Sequence, residues 1–530
     1  MNRLDKPALA ASALFIFLGA LLIPYAGIQA DEALFSTPLF PYAPQGSPLP
    51  AFSHQIPLMI MTYIGSLKTL LYWPIFRILG ASAWTLRLPA VLIGSITVFI
   101  FYRLARSAAN ARVAVLGSFL LATDPVFVLT NTFDWGPVAL EHAFLVTGCW
   151  LVFRFTTNAT AQSRLWDLAG GFFCWGLALW NKAIFIWALT GLIAAGLAVF
   201  WPDIRRLLTP RTAAVSLGAF LAGCSPLIVY NLTHASVTVT ENARLDLRGI
   251  PGKWIQLESA ANGASLFNYM VGEDWWPNPK PARSLRGRAA LWITRHLGEH
   301  RRTGFYYALG LLLLAAPWWW KYRAARFSLV FTTAAWLMMA LTRGAGIGAH
   351  HVILLWPFPV LFVSVALASL PWRLLGASAA ALMVAMNLLV MNQYVAQFER
   401  NGASTVYSDA LYPLSDNLNA YADRTLYVID WGLQENLNLL HQGRLHFRVI
   451  QGPLGTDVPT VGQLGEVRAM LQDPRALILD HVREREVFPN VGARLDRAAR
   501  SMGYRREVVA TIPDSNGRPI FEILRFVAIE

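Results

Sequence analysis

The sequence predicts an α-helical polytopic membrane protein with about eleven transmembrane helices and a small C-terminal α/β domain. Of its 530 residues, 55% are hydrophobic and only 14% are charged, with a mean hydropathy of +0.43. Soluble domains carry about a quarter charged residues. The charges that remain separate long apolar runs, and the composition becomes much more polar after Met391. These observations exclude a soluble globular protein.

Each predicted span is a run of about 17 to 25 mostly apolar residues, the length needed to cross the bilayer core as a helix. The fifth run is shorter than the others. The approximate bounds of the eleven runs are Leu9–Gln29, Leu86–Tyr102, Val113–Thr130, Val138–Phe153, Leu168–Trp180, Ala183–Trp201, Ala213–Tyr230, Gly304–Trp320, Phe327–Leu341, Val352–Leu370 and Leu374–Met391.

The distribution of basic residues between alternate loops predicts the orientation. One set of short loops, with the amino terminus, carries fourteen Lys and Arg, whereas the opposite short loops carry only Lys182 and Arg343. Basic loops stay in the cytoplasm. We therefore expect a plasma (inner) membrane protein with a cytoplasmic amino terminus and an extracytoplasmic C-terminal domain. A cleaved signal peptide over Met1–Ala30 is the alternative, but its apolar run exceeds the roughly 7 to 15 residues of a signal peptide.

The chain divides into a transmembrane part, residues 1–392, and a C-terminal part, residues 393–530. The transmembrane part has two long outer loops, residues 31–85 and 231–303. In the first loop, Lys68 lies in an apolar segment bracketed by Pro57 and Pro74, which favours a helix along the membrane interface over a further span. The C-terminal part alternates strand and helix patterns, as α/β domains do. The predicted strands are 425–430, 445–450, 476–480, 506–513 and 520–529, and the predicted helices are 432–442, 461–472 and 491–503.

Charge and cysteine placement exclude several classes of function. The net charge of +13 comes largely from basic residues that flank apolar runs, so it indicates topology and contact with membrane lipids rather than nucleic-acid binding. All three cysteines, Cys149, Cys174 and Cys224, lie in apolar segments, which leaves no disulfide framework and no metal-binding Cys spacing. The chain also lacks the Walker loop of nucleotide-driven transporters and the motifs of soluble hydrolases.

Acidic residues at the outer ends of spans are the first candidates for chemistry. Asp31 and Glu32 follow the first span directly. They either mark the exit from the membrane or supply a general base, because adjacent carboxylates in a low-dielectric mouth repel and raise one pKa. Asp134, in the next outer loop, is the second candidate carboxylate, whereas Asp124 precedes Pro125 and is typical of a turn or cap. Glu141 and the adjacent His142 either line the same cavity or bond a neighbouring helix.

Basic residues on the same face are candidates for binding an anionic lipid headgroup. These residues are Lys68, Lys182, Arg343, His350 and His351. An interfacial lysine commonly extends to the lipid headgroups without further function, but together with the acids these residues describe a phosphate-binding pocket. The two histidines are alternatively metal ligands; however, adjacent helical residues point about 100° apart, which disfavours a shared zinc site.

Several short motifs, taken in order, resemble the GT-C membrane glycosyltransferases, and within them glycosyltransferase family 39, the protein O-mannosyltransferase and aminoarabinose transferase group. The similarity rests on Asp31-Glu32 after one span, on His54, Pro57 and Lys68 in the outer segment, and on WTLRLPAVLIG at residues 84–94. Asp134 and GLALWNKAIF at residues 176–185 match in position, GAHHVILLWPFP at residues 348–359 matches loosely, and the C-terminal part hardly matches.

This resemblance implies a catalytic transmembrane domain that transfers a sugar, with inversion, from a polyprenyl-phosphate carrier to a lipid, glycan or protein acceptor at the outer face. It makes Asp31 the base, Glu32 its neighbour and Asp134 the acid that orients acceptor or base. Lys68 and Lys182 would hold the departing phosphate, as fixed cations do most effectively when charge develops. No cofactor is certain, and a divalent cation remains possible.

The sequence departs from the family pattern at two places, and it leaves other functions open. His54-Gln55-Ile56-Pro57 stands where His-Pro-Pro is usual, and His350-His351 replaces an expected Arg-Tyr. These departures put the donor contacts of His350 and His351 in question, while His54 remains a candidate to line the cavity. A transporter or flippase is the alternative function, although transporters place ionisable residues near mid-membrane. A scaffold whose C-terminal domain binds a partner is a further alternative, but it leaves the outer acids unexplained.

Overall fold

The computed structural model describes residues 5–40, 56–157, 161–272, 281–282, 284–457 and 459–529. The helices of the transmembrane part are α1 Lys6–Leu22, α2 Ala30–Ala33, α3 Leu67–Leu79, α4 Ala83–Ala108, α5 Ala111–Thr123, α6 Pro125–Thr132, α7 Val138–Thr157, α8 Ala161–Asn181, α9 Ile186–Leu207, α10 Pro210–Thr233, α11 Val237–Asn242, α12 Ile250–Ala261, α13 Phe267–Met270, α14 Leu285–Leu297, α15 Phe305–Leu314, α16 Ala316–Trp319, α17 Arg323–Leu341, α18 Ala349–Val352, α19 Phe358–Ser369 and α20 Arg373–Asn401.

Within the described residues, seven helices are long and apolar enough to cross a membrane, or nine spans result if each of two bent pairs is counted as one. The multi-pass helical fold is therefore confirmed, but the predicted number of eleven is not. The predicted run Leu168–Trp180 lies in α8, where apolar sequence begins only after Asp167. The run Gly304–Trp320 is divided into the ten-residue α15 and the short α16, because Pro317 cannot continue the hydrogen-bond ladder of a helix.

The third predicted span is one of the bent pairs. It changes direction by 59° between α5 and α6. Asp124 stands at the break, where its Oδ1 accepts a hydrogen bond from the Phe127 backbone N–H at 2.9 Å. Asp124 is thus a helix cap before Pro125, as its sequence context predicts. Its Oδ2 also accepts a hydrogen bond from Trp356 Nε1 at 3.1 Å, which ties the break to the second bent pair.

The segment around α3 forms a helix with two different faces. One face of this helix is buried, with Lys68, Thr69, Tyr72 and Phe76 turned inward. The opposite face exposes large apolar side chains, which water would not solvate favourably but a membrane interface would. Before α3, the short strands β1 Met59–Met61 and β2 Ile64–Gly65 form a hairpin. Ile64 in turn makes a backbone bridge to Lys182 at the end of α8.

The C-terminal part contains one five-stranded sheet with helices on its faces. The strands are β3 Thr425–Val428, β4 His446–Val449, β5 Ala476–His481, β6 Tyr504–Pro513 and β7 Pro519–Ala528, and the helices are α21 Leu411–Leu418, α22 Gln434–His441, α23 Gln451–Leu454, α24 Val461–Gln472 and α25 Val491–Ser501. The strand order is β4-β3-β5-β7-β6. β3, β4 and β5 are parallel, whereas β7 is antiparallel to β5 and β6. The predicted small α/β domain is confirmed.

The C-terminal sheet domain packs directly on the segment that follows the first span. Asn436 Nδ2 donates a hydrogen bond to the Ile28 carbonyl at 2.8 Å, and Asn438 Nδ2 donates to the Phe40 carbonyl at 2.6 Å. Apolar side chains of both parts share one cluster, which joins Ile28 and Ala33 to Leu433 and Leu437. The C-terminal domain therefore contacts the segment that carries Asp31 and Glu32.

Candidate active site

The segment between α1 and α2 is held by one buried arginine. Arg87 is fully buried in α4, and its Nη1 and Nη2 donate hydrogen bonds of 2.7 to 2.8 Å to the carbonyls of Ile23, Ala26 and Gly27. These carbonyls follow the last residue of α1, where no partner within that helix is available. Arg87 therefore fixes the path of the chain as it leaves the first span.

Glu32 is the counter-ion of this arginine. Its two carboxylate oxygens accept hydrogen bonds from Arg87 Nε at 2.7 Å and Nη2 at 2.9 Å, in a bidentate pair of which both members are buried. The first turn of α2 is also closed by a capping box between Gln29 and Glu32. Both oxygens of Glu32 are thus engaged in holding the loop.

Asp31 has very different surroundings from its neighbour Glu32. Its carboxylate receives one long hydrogen bond, from Gln29 Nε2 at 3.3 Å, and it forms no ion pair within the described part of the chain. It opens onto a narrow cleft. Desolvation by the walls raises the pKa of Asp31, and only the Gln29 bond and the charge of Lys182 oppose this rise. The residues that line the cleft are Asp31, Leu34, Phe35, Ile60, Ile64, Lys68, Gly136 and Pro137.

Lys68 and Asp134 form a buried ion pair on one wall of the cleft. Lys68 Nζ lies 2.9 Å from Asp134 Oδ2 and also 2.9 Å from the Asp134 carbonyl. It lies 4.4 Å from the centre of the Phe35 ring, within cation–π distance. Asp134 Oδ1 accepts from the backbone N–H groups of Val138 and Ala139 at the start of α7. Asp134 thereby positions Lys68 and caps α7.

Lys182 is the buried cation whose ammonium makes no hydrogen bond or ion pair with the described residues. Its backbone is fixed by the bridge to Ile64. A Cβ on Gly136, which has a φ of +122°, would lie only 3.0 Å from Lys182 Nζ, so the glycine leaves room for the ammonium. Burial lowers the pKa of Lys182 to about 8, opposed by the charges of Glu141, Asp134 and Asp31. A second anion at this point would therefore be strongly attracted.

Glu141 and His142 occupy separate places behind the cleft. Glu141 Oε1 accepts a hydrogen bond from Asn181 Nδ2 at 2.8 Å, and its buried Oε2 has no partner among the described residues. Its charge acts on Lys182. His142 instead connects helices, with its Nε2 2.7 Å from the Ile353 carbonyl. The structure therefore places Glu141 near the charged cluster and ties His142 into the helix packing.

The rings of His350 and His351 are in contact, with centres 4.2 Å apart and planes tilted by 49°. Trp135 Nε1 donates a hydrogen bond to His350 Nδ1 at 2.9 Å, while His351 Nδ1 is buried without a partner in the described structure. Both rings lie near enough to Lys182 for its charge to act on them. They extend the wall of the site beyond Trp135.

Two further residues predicted for the site, Arg343 and His54, are not among the described residues of this cluster. Arg343 is exposed on the loop after α17, where its backbone N–H donates to the Arg244 carbonyl. His54, the predicted cavity-lining residue, lies outside the described residues.

Sequence reasoning missed several groups that complete the site. Trp135, Tyr269 and Tyr407 form an aromatic group, with ring centres 5.6 to 6.2 Å apart. Burial raises the pKa of Glu435 in α22, and the charge of Asp31 raises it further, which places a carboxylate of the C-terminal domain near the candidate base. Arg87 lies within a quoted motif, but nothing in the sequence indicates that it pairs with Glu32. The aromatic residues come from three distant segments without a shared pattern.

Among the described residues, the cleft holds no group of three His, Cys, Asp or Glu side chains close enough together to bind a metal ion. One group of three His, Asp or Glu side chains is close enough to hold an ion, and it lies in the C-terminal domain. The chemistry of the cleft itself, one free carboxylate facing buried ammonium groups, suits proton transfer and the binding of an anion.

Comparison with known proteins identifies the fold to which this site belongs. The family model of the dolichyl-phosphate-mannose-protein mannosyltransferases matches residues 67–230, which is less than half of the chain. The structure is similar to that of ArnT from Cupriavidus metallidurans bound to undecaprenyl phosphate, with a TM-score of 0.59, 12% identity and coverage of 97% of both chains. The apo form of that protein matches with a TM-score of 0.58, 12% identity and the same coverage.

A more distant similarity extends to the oligosaccharyltransferase of Archaeoglobus fulgidus in complex with Zn and sulfate. It has a TM-score of 0.50 and 14% identity, and the match covers 90% of this chain and 68% of the other. Among curated proteins no sequence match is found.

The helical bundle and the sheet domain define a multi-pass membrane protein of the GT-C glycosyltransferase fold. Within that class the chain is similar to glycosyltransferase family 39, as the sequence motifs imply, and resembles ArnT over nearly its whole length.

Proposed function

We propose that this protein is an integral-membrane glycosyltransferase that moves a sugar from a polyprenyl-phosphate carrier to an acceptor hydroxyl. The observation that carries the proposal is Asp31: it is the acid of its motif that no cation neutralises among the described residues, and it faces a cleft beside two buried lysines. The GT-C fold and the undecaprenyl phosphate bound by the similar ArnT support the class of donor.

The chemistry follows from what each group is free to do. Asp31 accepts the proton of the acceptor hydroxyl while the hydroxyl oxygen attacks the anomeric carbon of the sugar. The bond between that carbon and the phosphate oxygen breaks on the opposite side, and its electron pair leaves with the polyprenyl phosphate. The configuration at the anomeric carbon is therefore inverted. A raised pKa makes Asp31 a stronger base than an ordinary carboxylate, which favours proton transfer.

Lys182 is suited to the leaving group. The phosphate gains negative charge as the bond breaks, and a pre-positioned cation in a dry site stabilises that charge without reorganisation. The ammonium of Lys182 is buried and available, whereas Lys68 is already held by Asp134. We assign Lys182 to the binding of the phosphate. Lys68 and Asp134 form the wall of the cleft that positions the phosphate. His350 and His351 extend this wall, and Arg343 is left outside the donor site.

The site lies at the outer ends of the spans under the predicted topology. The amino terminus is then cytoplasmic in the plasma (inner) membrane, and the C-terminal domain, residues 393–530, covers the catalytic domain from the extracytoplasmic side. A nucleotide sugar in the cytoplasm cannot reach this face, whereas a lipid-linked sugar can. The acceptor is a lipid, a glycan or a protein presented on the same side. No divalent cation is required by the steps above.

The test is sugar transfer from a panel of radiolabelled polyprenyl-phosphate sugars in membranes that contain the wild type or Asp31→Asn. We expect transfer by the wild type and a loss of about 10²-fold or more in the variant, because the general base is removed. Asp423→Asn, which changes an exposed acid of the C-terminal domain, is the matched control and should retain full transfer.

Equal transfer by Asp31→Asn at equal expression would refute the base assignment. Consumption of no donor by the wild type with any acceptor would refute the glycosyltransferase proposal and favour the transporter alternative. The structure gives that alternative little support, because the ionisable cluster gathers at helix ends around one cleft.

A further inference from the structure

A second cluster of buried polar side chains lies in the C-terminal domain, away from the transfer site. Asp430 follows β3, while Asp480 and His481 end the parallel neighbour β5. All three are buried, with exposures of 0%, 1% and 2%. Because β4 and β5 flank β3 on opposite sides, the chain leaves β3 and β5 in different directions here. Such a switch point, at the carboxyl ends of parallel strands, is where open α/β sheets bind ligands.

Asp430 holds the histidine in one orientation. Its Oδ2 lies 2.7 Å from His481 Nδ1 and accepts from the Val487 backbone N–H at 2.7 Å, while its Oδ1 accepts from Phe488 N–H at 2.9 Å. A carboxylate that accepts one ring N–H of a histidine fixes its tautomer and leaves the other nitrogen as a lone-pair donor. Histidines that bind metals are almost always held in this way.

Asp480, in contrast, has a carboxylate oxygen that these hydrogen bonds do not satisfy. Its Oδ1 is buried and has no hydrogen-bond partner among the described residues. Ligand-type atoms of Asp430, Asp480 and His481 lie within 4.8 Å of one another, so this carboxylate lies beside the Asp430–His481 pair. A buried, unpaired carboxylate oxygen is costly unless something else contacts it.

The surroundings do not supply enough positive charge. Arg483 is the nearby cation, and it is already engaged by Glu486 at 3.1 Å and by Asp496 at 2.5 Å. Glu486 also accepts from the Gly492 backbone N–H. Two buried aspartates and two further acids therefore share one arginine and one histidine. The cluster is short of cationic charge at its centre.

We propose that Asp430, Asp480 and His481 form a binding site for a divalent transition metal ion, with Zn²⁺ as the best fit and Mn²⁺ as the next. One imidazole and carboxylate oxygens are the ligand types that zinc takes in proteins, whereas Mg²⁺ and Ca²⁺ prefer oxygen-only sites. Asp480 supplies an unused carboxylate, and His481 supplies the imidazole. Asp430 orients His481 through Nδ1, so that Nε2 is the nitrogen left for the ion, and it supplies no ligand itself because both of its oxygens already accept hydrogen bonds.

The bound ion would tie together three parts of the domain. It would connect the ends of β3 and β5 and, through Asp430, the segment at Val487 and Phe488 that leads into α25. The site is independent of the proposed sugar transfer, since none of its residues lines the cleft at Asp31.

The test measures metal content in the purified full-length chain. The protein is stripped with a chelator, incubated with Zn²⁺, Mn²⁺, Mg²⁺ or Ca²⁺ in separate samples, desalted, and analysed by inductively coupled plasma mass spectrometry. We expect wild type to retain one more zinc per chain than Asp480→Asn or His481→Gln, and to retain neither Mg²⁺ nor Ca²⁺. The exposed pair Asp423→Asn and His446→Gln provides matched controls that should bind as the wild type does.

Thermal unfolding separates binding at this site from adsorption elsewhere. Zinc that binds the folded domain raises the unfolding temperature of the wild type, because ligands stabilise the state they bind. The shift should disappear in Asp480→Asn and His481→Gln. Equal zinc content in wild type and variants overturns the proposal, as does a zinc content that falls instead in His350→Gln. If one variant does not fold, the other and the metal series on the wild type still decide the question.

Discussion

Asp31 and Glu32 are adjacent in the sequence, yet their surroundings give them different roles. Glu32 is buried and paired with Arg87 through two hydrogen bonds, so its charge serves the fold. Asp31 has one long hydrogen bond and faces the cleft. A buried pair that loses one partner costs about 3–5 kcal/mol. The charge of Glu32 therefore serves stability, and Asp31 is the carboxylate that we propose for proton transfer.

The pH dependence of transfer follows from the raised pKa of Asp31. We expect kcat/KM to fall on the acid side as pH decreases through this pKa, at a higher pH than for an ordinary carboxylate. The charge of Lys182 lowers the pKa of Asp31, so Lys182→Gln should move the acid limb to higher pH and reduce the maximal rate. Transfer rates of both proteins between pH 4 and pH 9 test this expectation.

An acid limb that moves to lower pH in Lys182→Gln would contradict the assignment. Stability provides the control. Because the pKa of Asp31 is raised on folding, the folded state binds more protons than the unfolded state between the two pKa values, and stability falls as pH rises through that window. Asp31→Asn removes this loss, so the inactive variant should unfold at no lower temperature than the wild type above the window.

Residue roles were only partly predictable from the sequence. Asp31, Lys68, Asp134 and Lys182 were found because charged residues at the ends of apolar runs are rare. The pairing of Lys68 with Asp134 was not visible, because 66 residues separate them.

At the scale of elements, breaks in the helices shape the site as much as the helices do. The bends at α5–α6 and at α18–α19 are joined by the hydrogen bond from Trp356 to Asp124. Trp135 follows the first bend and His350 precedes the second, and the two bends bring these side chains into contact. Apolar length predicted that spans occur here, but a window of hydropathy does not register a change of direction. Only the Asp-Pro dipeptide signalled the first break.

Asp124→Ala tests the importance of this joint. It removes the cap of α6, at a cost of about 0.5–2 kcal/mol. It also leaves Trp356 Nε1 buried without an acceptor, at a cost of about 1–3 kcal/mol. We expect a lower unfolding temperature in detergent and reduced transfer. Asp124→Asn keeps the oxygen that caps α6 but turns an amide N–H towards Trp356 Nε1, so it should retain the cap and lose the Trp356 bond; an unfolding temperature equal to that of the wild type would contradict a stabilising Trp356 bond.

At the scale of the whole molecule, the C-terminal domain docks against the segment between the first two helices. α22 packs on the segment that carries Asp31, and Asn436 bonds the Ile28 carbonyl. The strands and helices of this domain were predicted closely, because alternation in strands and amphipathic periodicity are local signals. Its docking surface was not predicted, because contacts between distant segments leave no such local pattern.

Asn436→Ala tests whether docking supports catalysis. It removes a buried hydrogen bond worth about 1 kcal/mol and leaves the Ile28 carbonyl unpaired. We expect a severalfold lower kcat, and easier cleavage of the C-terminal domain in limited proteolysis. Asn417→Ala is the control, because Asn417 is exposed and bonds only within its own helix, to the Pro413 carbonyl. Identical kinetics for the two variants would show that docking of the C-terminal domain does not support catalysis.

The bond between Asn436 and Ile28 joins residues 408 positions apart in the chain. During synthesis, the first span leaves the ribosome long before α22 is made. A chain that stalls or is cut before residue 436 keeps its membrane anchor and both lysines but lacks the piece that closes the site. The contact between the segment with Asp31 and α22 therefore forms only after most of the polypeptide has been synthesised.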